Sequence, residues 1–286
     1  MITFPKYAID LKAIPITADD LLPYEDITIA KYPIDGAYNV LWGKNLETGF
    51  FWEAAHIDRG LYGDSSFNKA QGIDEVIKLD KPNVIDKLLS AKIPSKYRQT
   101  NYDVDWHGVV LACQNPNDRS VLSVGTAKDW WNFYENACNY YGKNLFVKLH
   151  PWNSGDIGER MCKIAKDNGC RAEKTNHSCI KNCEFVLVYN SSFVVDCFMR
   201  GIPVVQYTQG YFHNTPSVEF TNGKYPLSVK TDIEFGKRLV NFLAYRYCFN
   251  YTMSVDKWVD MLRHYASSKD IFPMKDEWSY ILNEEA

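Results

Sequence analysis

The sequence lacks any apolar run approaching the ~20 residues that a membrane-spanning helix needs. Its opening, "MITFPKYAIDLK", has no basic stretch followed by an apolar block, the mark of a secretory leader. Excess positive charge is missing too. Against 35 Asp and Glu stand 32 Lys and Arg, a formal net charge of -3, so no global field draws the chain onto nucleic acid or an anionic membrane. Neither an internal repeat nor a low-complexity tract is present, which sets aside solenoids and disordered arrays. These absences lead to the expectation of a cytoplasmic globular chain with no transmembrane segment. Its 286 residues suffice for one large domain or two modest ones.

No CxxC occurs among the 8 cysteines. Cys162, Cys170, His177, Cys179 and Cys183 do crowd into one stretch, but their irregular gaps do not follow zinc-ribbon spacing, and no metal site is expected. Other cysteines lie inside apolar patterns such as "VVLACQ" and "VVDCFM", where reduced, buried thiols fit better than a disulfide framework. The "DVD" at 103–105 matches a metal-binding Asp-x-Asp by letters alone, because it does not follow a strand. Aromatic residues, by contrast, are plentiful at 15%, with 8 Trp and 19 Tyr. Flat rings serve cores and sugar or base stacking alike.

The second half of the chain is the legible one. "GVVLACQ" (108–114), "NLFVKLH" (144–150), "EFVLVYN" (184–190) and "IPVVQYT" (202–208) are short apolar runs bounded by turn residues, as buried parallel strands are. Between them, "AKDWWNFYENACNYYGK" (127–143), "DIGERMCKIAKDNG" (156–169) and "SSFVVDCFMRG" (191–201) have helical spacing. Asp156 is the expected N-cap of the second, and Gly142 and Gly169 are stop signals. "CRAEKT" reads as a short strand and "SCIKNC" as one helical turn. Strand and helix in alternation imply right-handed crossovers and a doubly wound parallel sheet. Ligands of such sheets bind beyond the carboxyl ends of the strands, where His150 and the Ser191/Ser192 pair fall. The first hundred residues are less regular: "YNVLWG" (38–43) and "FFWEAAHID" (50–58) read as strands, "DKLLSAKI" (86–93) as a helix, and 92–108 as a linker. The tail from 231 to 268 is helical by period.

Two stretches carry candidate chemistry. In "NSSFVVDCFMRGIPVV" (190–205) a strand delivers two serines to a helix start, where backbone donors and the positive end of the dipole favour an anion. Asp196, about one turn on, is able to accept hydrogen bonds from the vicinal hydroxyls of a ribose; the plainer reading is a serine cap and an aspartate facing water. In "FVKLHPWNSGD" (146–156) His150 ends a strand, either at the mouth of a ligand crevice or as a turn residue with no task.

The serine pair, an acidic residue five places before a glycine, and Gly-x-Pro-Val together resemble the donor-binding segment of GT-B glycosyltransferases, especially the bacterial capsule Kdo-transferase-like group. That group also carries a strand ending in His-Pro, like His150 and Pro151. "HIDRGLYGD" (56–64) is similar to its acidic segment, and "NVLWGK" (39–44) to the strand before it. The matching pieces fall in the family's order over 38–64 and 108–208. Three departures stand out: Asp196 replaces a glutamate and is one methylene shorter, Arg59 follows Asp58, and the first lobe is short.

The resemblance implies an α/β fold of two Rossmann-like lobes. An acceptor-side lobe would span 1–105, a nucleotide-sugar-binding lobe 106–230, and helices of 231–286 would pack across both. It implies transfer of a sugar from a nucleotide-sugar donor to a hydroxyl acceptor, either a glycan or a hydroxylated base in phage-type DNA. His150 and Lys148 would meet the donor's phosphates; Ser191, Ser192, Asp196 and Gln114 would complete the donor side. A carboxylate must take the acceptor's proton: Asp58 first, with Glu53 and Glu47 in reserve. No cofactor beyond the donor substrate and no metal is implied. A nucleotide-sugar epimerase and a non-catalytic nucleotide-sugar-binding module remain open beside it.

Overall fold

The computed structural model describes residues 2–5, 17–25, 27–30, 38–41, 56–58, 65–90, 102–248, 254–268 and 272. In chain order, strand β1 (Ile2–Pro5) is followed by α1 (Ala18–Leu21), β2 (Ile27–Ala30), β3 (Tyr38–Leu41) and β4 (His56–Asp58). Helices α2 (Ala70–Lys78) and α3 (Ile85–Ser90) precede β5 (Val109–Ala112). After α4 (Arg119–Leu122) and α5 (Ala127–Tyr141) come β6 (Leu145–Lys148), α6 (Gly155–Asp167), β7 (Arg171–Glu173), β8 (Phe185–Val188) and α7 (Val194–Arg200). The chain continues through β9 (Val204–Gln206), β10 (Val218–Phe220), α8 (Ile233–Phe242) and α9 (Val255–Ser267). It divides into two compact units, one of residues 1–61, 65–96 and 238–286, the other of 62–64 and 97–237.

The sheet of the first unit runs β2-β1-β3-β4. Strand β1 pairs in parallel with β2 and β3, while β4 returns antiparallel to β3, setting Asp58 opposite Asn39 and His56 opposite Leu41. Helix α9 packs on β1. Its buried Trp258, Met261 and Leu262 recur at helical spacing, so one face is apolar. Phe67 anchors an aromatic group in the same unit, stacked on Phe272 at 4.7 Å and edge-on to Phe242 and Tyr247. Such ring pairs contribute about 0.5–1.5 kcal/mol each beyond their buried area. Neither α2 nor the strands β1 and β2 were expected from the sequence.

Six strands form the sheet of the second unit in the order β10-β9-β8-β5-β6-β7. Every pairing is parallel. Each expected strand and helix of this half is present, within a few residues of its expected ends. Side chains alternate between the two faces. One face presents Val109, Leu111, Leu145, Val147, Phe185 and Leu187 to Trp130, Tyr134, Cys138 and Met161 of α5 and α6. The other carries Lys148 and Val188 on the side of α7, which packs on β8.

Thr126 starts α5 with a capping box: its hydroxyl accepts from the Asp129 amide at 3.2 Å, and the Asp129 carboxylate accepts from the Thr126 amide at 2.8 Å. Helix α6 begins two residues before the expected place. Ser154 stands at its N-cap position, and Asp156, the expected cap, lies in the first turn, where its charge suits the dipole.

The cysteines are all free thiols; Cys162 is exposed and Cys170 half-buried, and the other six are buried. Burial pushes the Cys179 thiol up to about 11 and that of Cys183 up to about 12. Because the thiolate is the reactive form, brief iodoacetamide treatment of the native protein should label Cys162 and Cys170, and the rest only after unfolding. Peptide mass spectrometry reads this, and Cys113 or Cys197 labelled as fast as Cys162 would contradict the packing.

Candidate functional site

Counted from β5, the strand order of the second unit is 3-2-1-4-5-6, so the order reverses between β5 and β8. Two amide side chains close that point. Nε2 of Gln114 donates to Asn190 Oδ1 at 3.0 Å and to Ser120 Oγ at 2.9 Å, while the Asn190 backbone N–H donates to Gln114 Oε1 at 3.2 Å. The Asn190 amide in turn donates to the Ser120 carbonyl at 2.7 Å. Gln114 and Asn190 are both buried, and their amides find hydrogen bonds in each other and in Ser120. Gln114 was expected on the donor side. Asn190 was not singled out, although it sits directly before the serine pair.

His150 follows the carboxyl end of β6, next to β5. The Trp152 amide donates to its Nδ1 at 3.2 Å, and the Asn153 amide donates to its carbonyl at 2.8 Å. Since Nδ1 accepts, the ring proton of the neutral imidazole resides on Nε2. Asn153 is 1% exposed and pins the turn from inside, its Nδ2 donating to the Gln114 carbonyl at 3.2 Å. Trp152 at the turn's tip is 66% exposed, and Lys174 Nζ reaches the Pro151 carbonyl at 3.0 Å. His150, Gln114 and Asn190 thus belong to one hydrogen-bonded assembly at the ends of β5, β6 and β8.

Lys148 is buried at 6% exposure; its Nζ donates to the Thr175 carbonyl at 2.5 Å and lies 5.9 Å from the Phe193 ring centroid. Burial holds its ammonium below the usual lysine range, opposed in part by Cys179 and Asp196. The cation therefore sits beneath the turn instead of at the surface.

Ser191 and Ser192 lead into α7 through a turn whose amides are partly used. Phe193 N donates to Ser191 Oγ at 3.2 Å, Val194 N to the Ser191 carbonyl at 3.4 Å and Val195 N to the Ser192 carbonyl at 3.0 Å. Asp196 does not face water. Its side chain is 4% exposed, and Oδ1 meets His177 Nδ1 at 3.2 Å and Arg200 Nη1 at 3.2 Å. His177 was weighed in the sequence only as a metal ligand. No spacing rule signals its pairing with Asp196, because the two lie on different elements, 19 positions apart in the chain.

Comparison with solved structures identifies the fold. The Thermosulfurimonas dismutans KpsC β-Kdo 2,7-transferase matches with a TM-score of 0.53 and 16% identity, over 91% of this chain and 97% of that one. The two chains share a fold. The Thermosulfurimonas dismutans KpsC β-Kdo 2,4-transferase matches at 0.47 and 13% identity, over 83% and 89%. No family model and no curated protein matches the sequence. The α/β architecture implied by the motifs is the one present.

The remaining expected residues lie in the first unit or outside the described residues. Asp58 ends β4 level with Asn39, toward the edge where β1 and β3 begin, and His56 lies level with Leu41 toward the edge where β3 ends. Glu47 and Glu53 fall outside the described residues. The aspartates of "DVD" hold neighbouring turns: Asp103 accepts from Asn176 at 2.5 Å and Asp105 from Asn182 at 2.9 Å. Among the described residues, no three His, Cys, Asp or Glu side chains come together as a metal-ion group. No described helix is long and apolar enough to cross a membrane.

Gly158 of α6 lets the His150 turn approach the helix. A Cβ there would stand 2.8 Å from the Asn153 carbonyl oxygen, a backbone atom with little room to move. Alanine elsewhere in a helix gains about 1 kcal/mol over glycine. Here Gly158→Ala should instead lower stability by about 1–3 kcal/mol, the range of an overpacked contact. Urea denaturation measures the change, and a stabilised variant would show that the turn is loose.

Proposed function

We propose that the chain is a glycosyltransferase, moving a sugar from a nucleotide-sugar donor to a glycan hydroxyl. The observation that carries the reading is the shared fold with a Kdo transferase over 91% of the chain, together with the family-like His-Pro and Ser-Ser segments at the ends of β6 and β8. The bond between the anomeric carbon and the phosphate oxygen breaks, and one to the acceptor oxygen forms. His150 donates from Nε2 to the departing phosphate oxygen, and Lys148 adds positive field from below, so the reading assigns the leaving group's charge to side chains and not to a metal ion. Ser191, Ser192, Gln114 and Asp196 shape the donor side. A carboxylate takes the acceptor's proton, Asp58 by resemblance and Glu53 in reserve.

The test is nucleotide release from a panel of nucleoside mono- and diphosphate sugars, with and without glycan acceptors. Release should require both substrates, and His150→Ala should lower the rate by about 10²–10³-fold, the usual effect of losing one donor to developing negative charge. Conversion of the donor with no acceptor present would turn the reading to an epimerase, and donor binding with no turnover would turn it to a binding module. Asp58→Asn should abolish transfer and keep donor binding. Unchanged transfer would move the base to Glu53.

A further inference from the structure

Two cysteines outside the candidate site, Cys138 and Cys170, meet in the fold. Cys138 lies in the last turn of α5, 0% exposed and packed in the core beneath the sheet. Cys170 is half-buried on the connection from α6 to β7, directly after Gly169, whose φ of 74° turns the chain back. The Cys170 amide donates to the Ala165 carbonyl at 2.9 Å, and its Sγ lies 3.4 Å from the Cys138 carbonyl oxygen. That carbonyl also accepts from the Gly142 amide that closes α5, so both sulfurs hang from backbone held by hydrogen bonds.

The contact splits the pair. A hydrogen bond from the Cys138 thiol holds the Cys170 thiol below its usual range, against the effect of partial burial. The same hydrogen bond, with burial, drives the Cys138 thiol well above that range. Burial alone raises the thiols of Cys179 and Cys183, and with them those of Cys113, Cys197 and Cys248. Cys170 is thus a solvent-accessible sulfur eased toward its thiolate, with a protonated sulfur in reserve beneath it. Oxidation selects thiols of this kind, because the thiolate is the nucleophile and a neighbouring thiol converts the first product into a disulfide.

We propose that Cys170 is a modification site for hydroperoxides and that Cys138 resolves it into an intrachain disulfide, because the accessible sulfur stands against the residue that carries the buried one. The Cys170 sulfur attacks one peroxide oxygen; the O–O bond breaks, the sulfur is oxidised to the sulfenic acid, and the other oxygen leaves as water. The Cys138 sulfur then attacks that of Cys170; the S–S bond forms, the S–O bond breaks, and the hydroxyl leaves as water with the Cys138 proton. Two thiols and one peroxide give one disulfide and two waters. The bond joins the last turn of α5 to the head of β7, the edge strand whose Glu173 carbonyl accepts from the Leu149 amide at 3.0 Å, one residue before His150. The inference is independent of the glycosyl-transfer reading.

Treatment of the reduced full chain with equimolar hydrogen peroxide, followed by alkylation and mass spectrometry of an unreduced digest, tests it. The chain should lose the mass of two hydrogens, with the Cys138 and Cys170 peptides joined and dithiothreitol separating them again. Cys170 should react ahead of Cys162, although Cys162 is the more exposed thiol. In Cys138→Ser the Cys170 sulfenic acid should persist and be captured by dimedone, and in Cys170→Ser the Cys138 thiol should stay reduced. Oxidation of Cys162 ahead of Cys170 would overturn the inference, as would a Cys170 that does not react or that passes to the sulfinic acid while Cys138 remains a free thiol. The wild-type digest decides among these outcomes whether or not the Cys138 variant folds.

Discussion

The reciprocal amide pair of Gln114 and Asn190 holds the candidate site together. It spans the place where the parallel sheet changes direction of growth, between β5 and β8, and there the Asn190 backbone N–H donates to Gln114 Oε1. Buried amides satisfied by each other and by Ser120 cost little; removing one would leave polar atoms stranded, at about 1–3 kcal/mol. Asn153 extends the assembly to the turn of His150 through the Gln114 carbonyl. The orientation of the imidazole thus follows from the same constraint that joins the central strands.

Beneath this amide layer lies a charged one. His177 Nδ1 and Arg200 Nη1 each lie 3.2 Å from Asp196 Oδ1, and Lys148, buried like the aspartate, feels its negative charge. Buried charges of this kind rarely add stability, since desolvation offsets most of the attraction. Under the proposed function, a binding task accounts for them. Positive charge held under a turn acts on a phosphate without ordering a long exposed side chain at the moment of binding.

Much of the second unit was legible because its strands are short apolar runs and its helices start and stop with clear signals. The stop signals Gly142 and Gly169 have positive φ, as does Gly201 at the end of α7, whereas the Thr126 capping box was not singled out. Strand β10 escaped notice: Val218 is buried but Glu219 and Phe220 are half-buried, so the segment has no continuous apolar run. In the first unit α2 was missed because its apolar face has only two well-buried residues, Gly72 and Val76, and one of them is a glycine. Within the site, His150 was readable from its place after a strand. The site's long-range pairings were not, because those of Gln114 with Asn190 and of Asp196 with His177 join residues far apart in sequence.

The central claim is that a nucleotide binds beyond the carboxyl ends of β5, β6 and β8. A crystal structure of the chain with bound nucleotide measures it most directly. The account predicts a phosphate oxygen within about 3 Å of His150 Nε2, with the Gln114–Asn190 pair unbroken. A nucleotide seated away from those three strand ends, or an imidazole turned from it, would contradict the account.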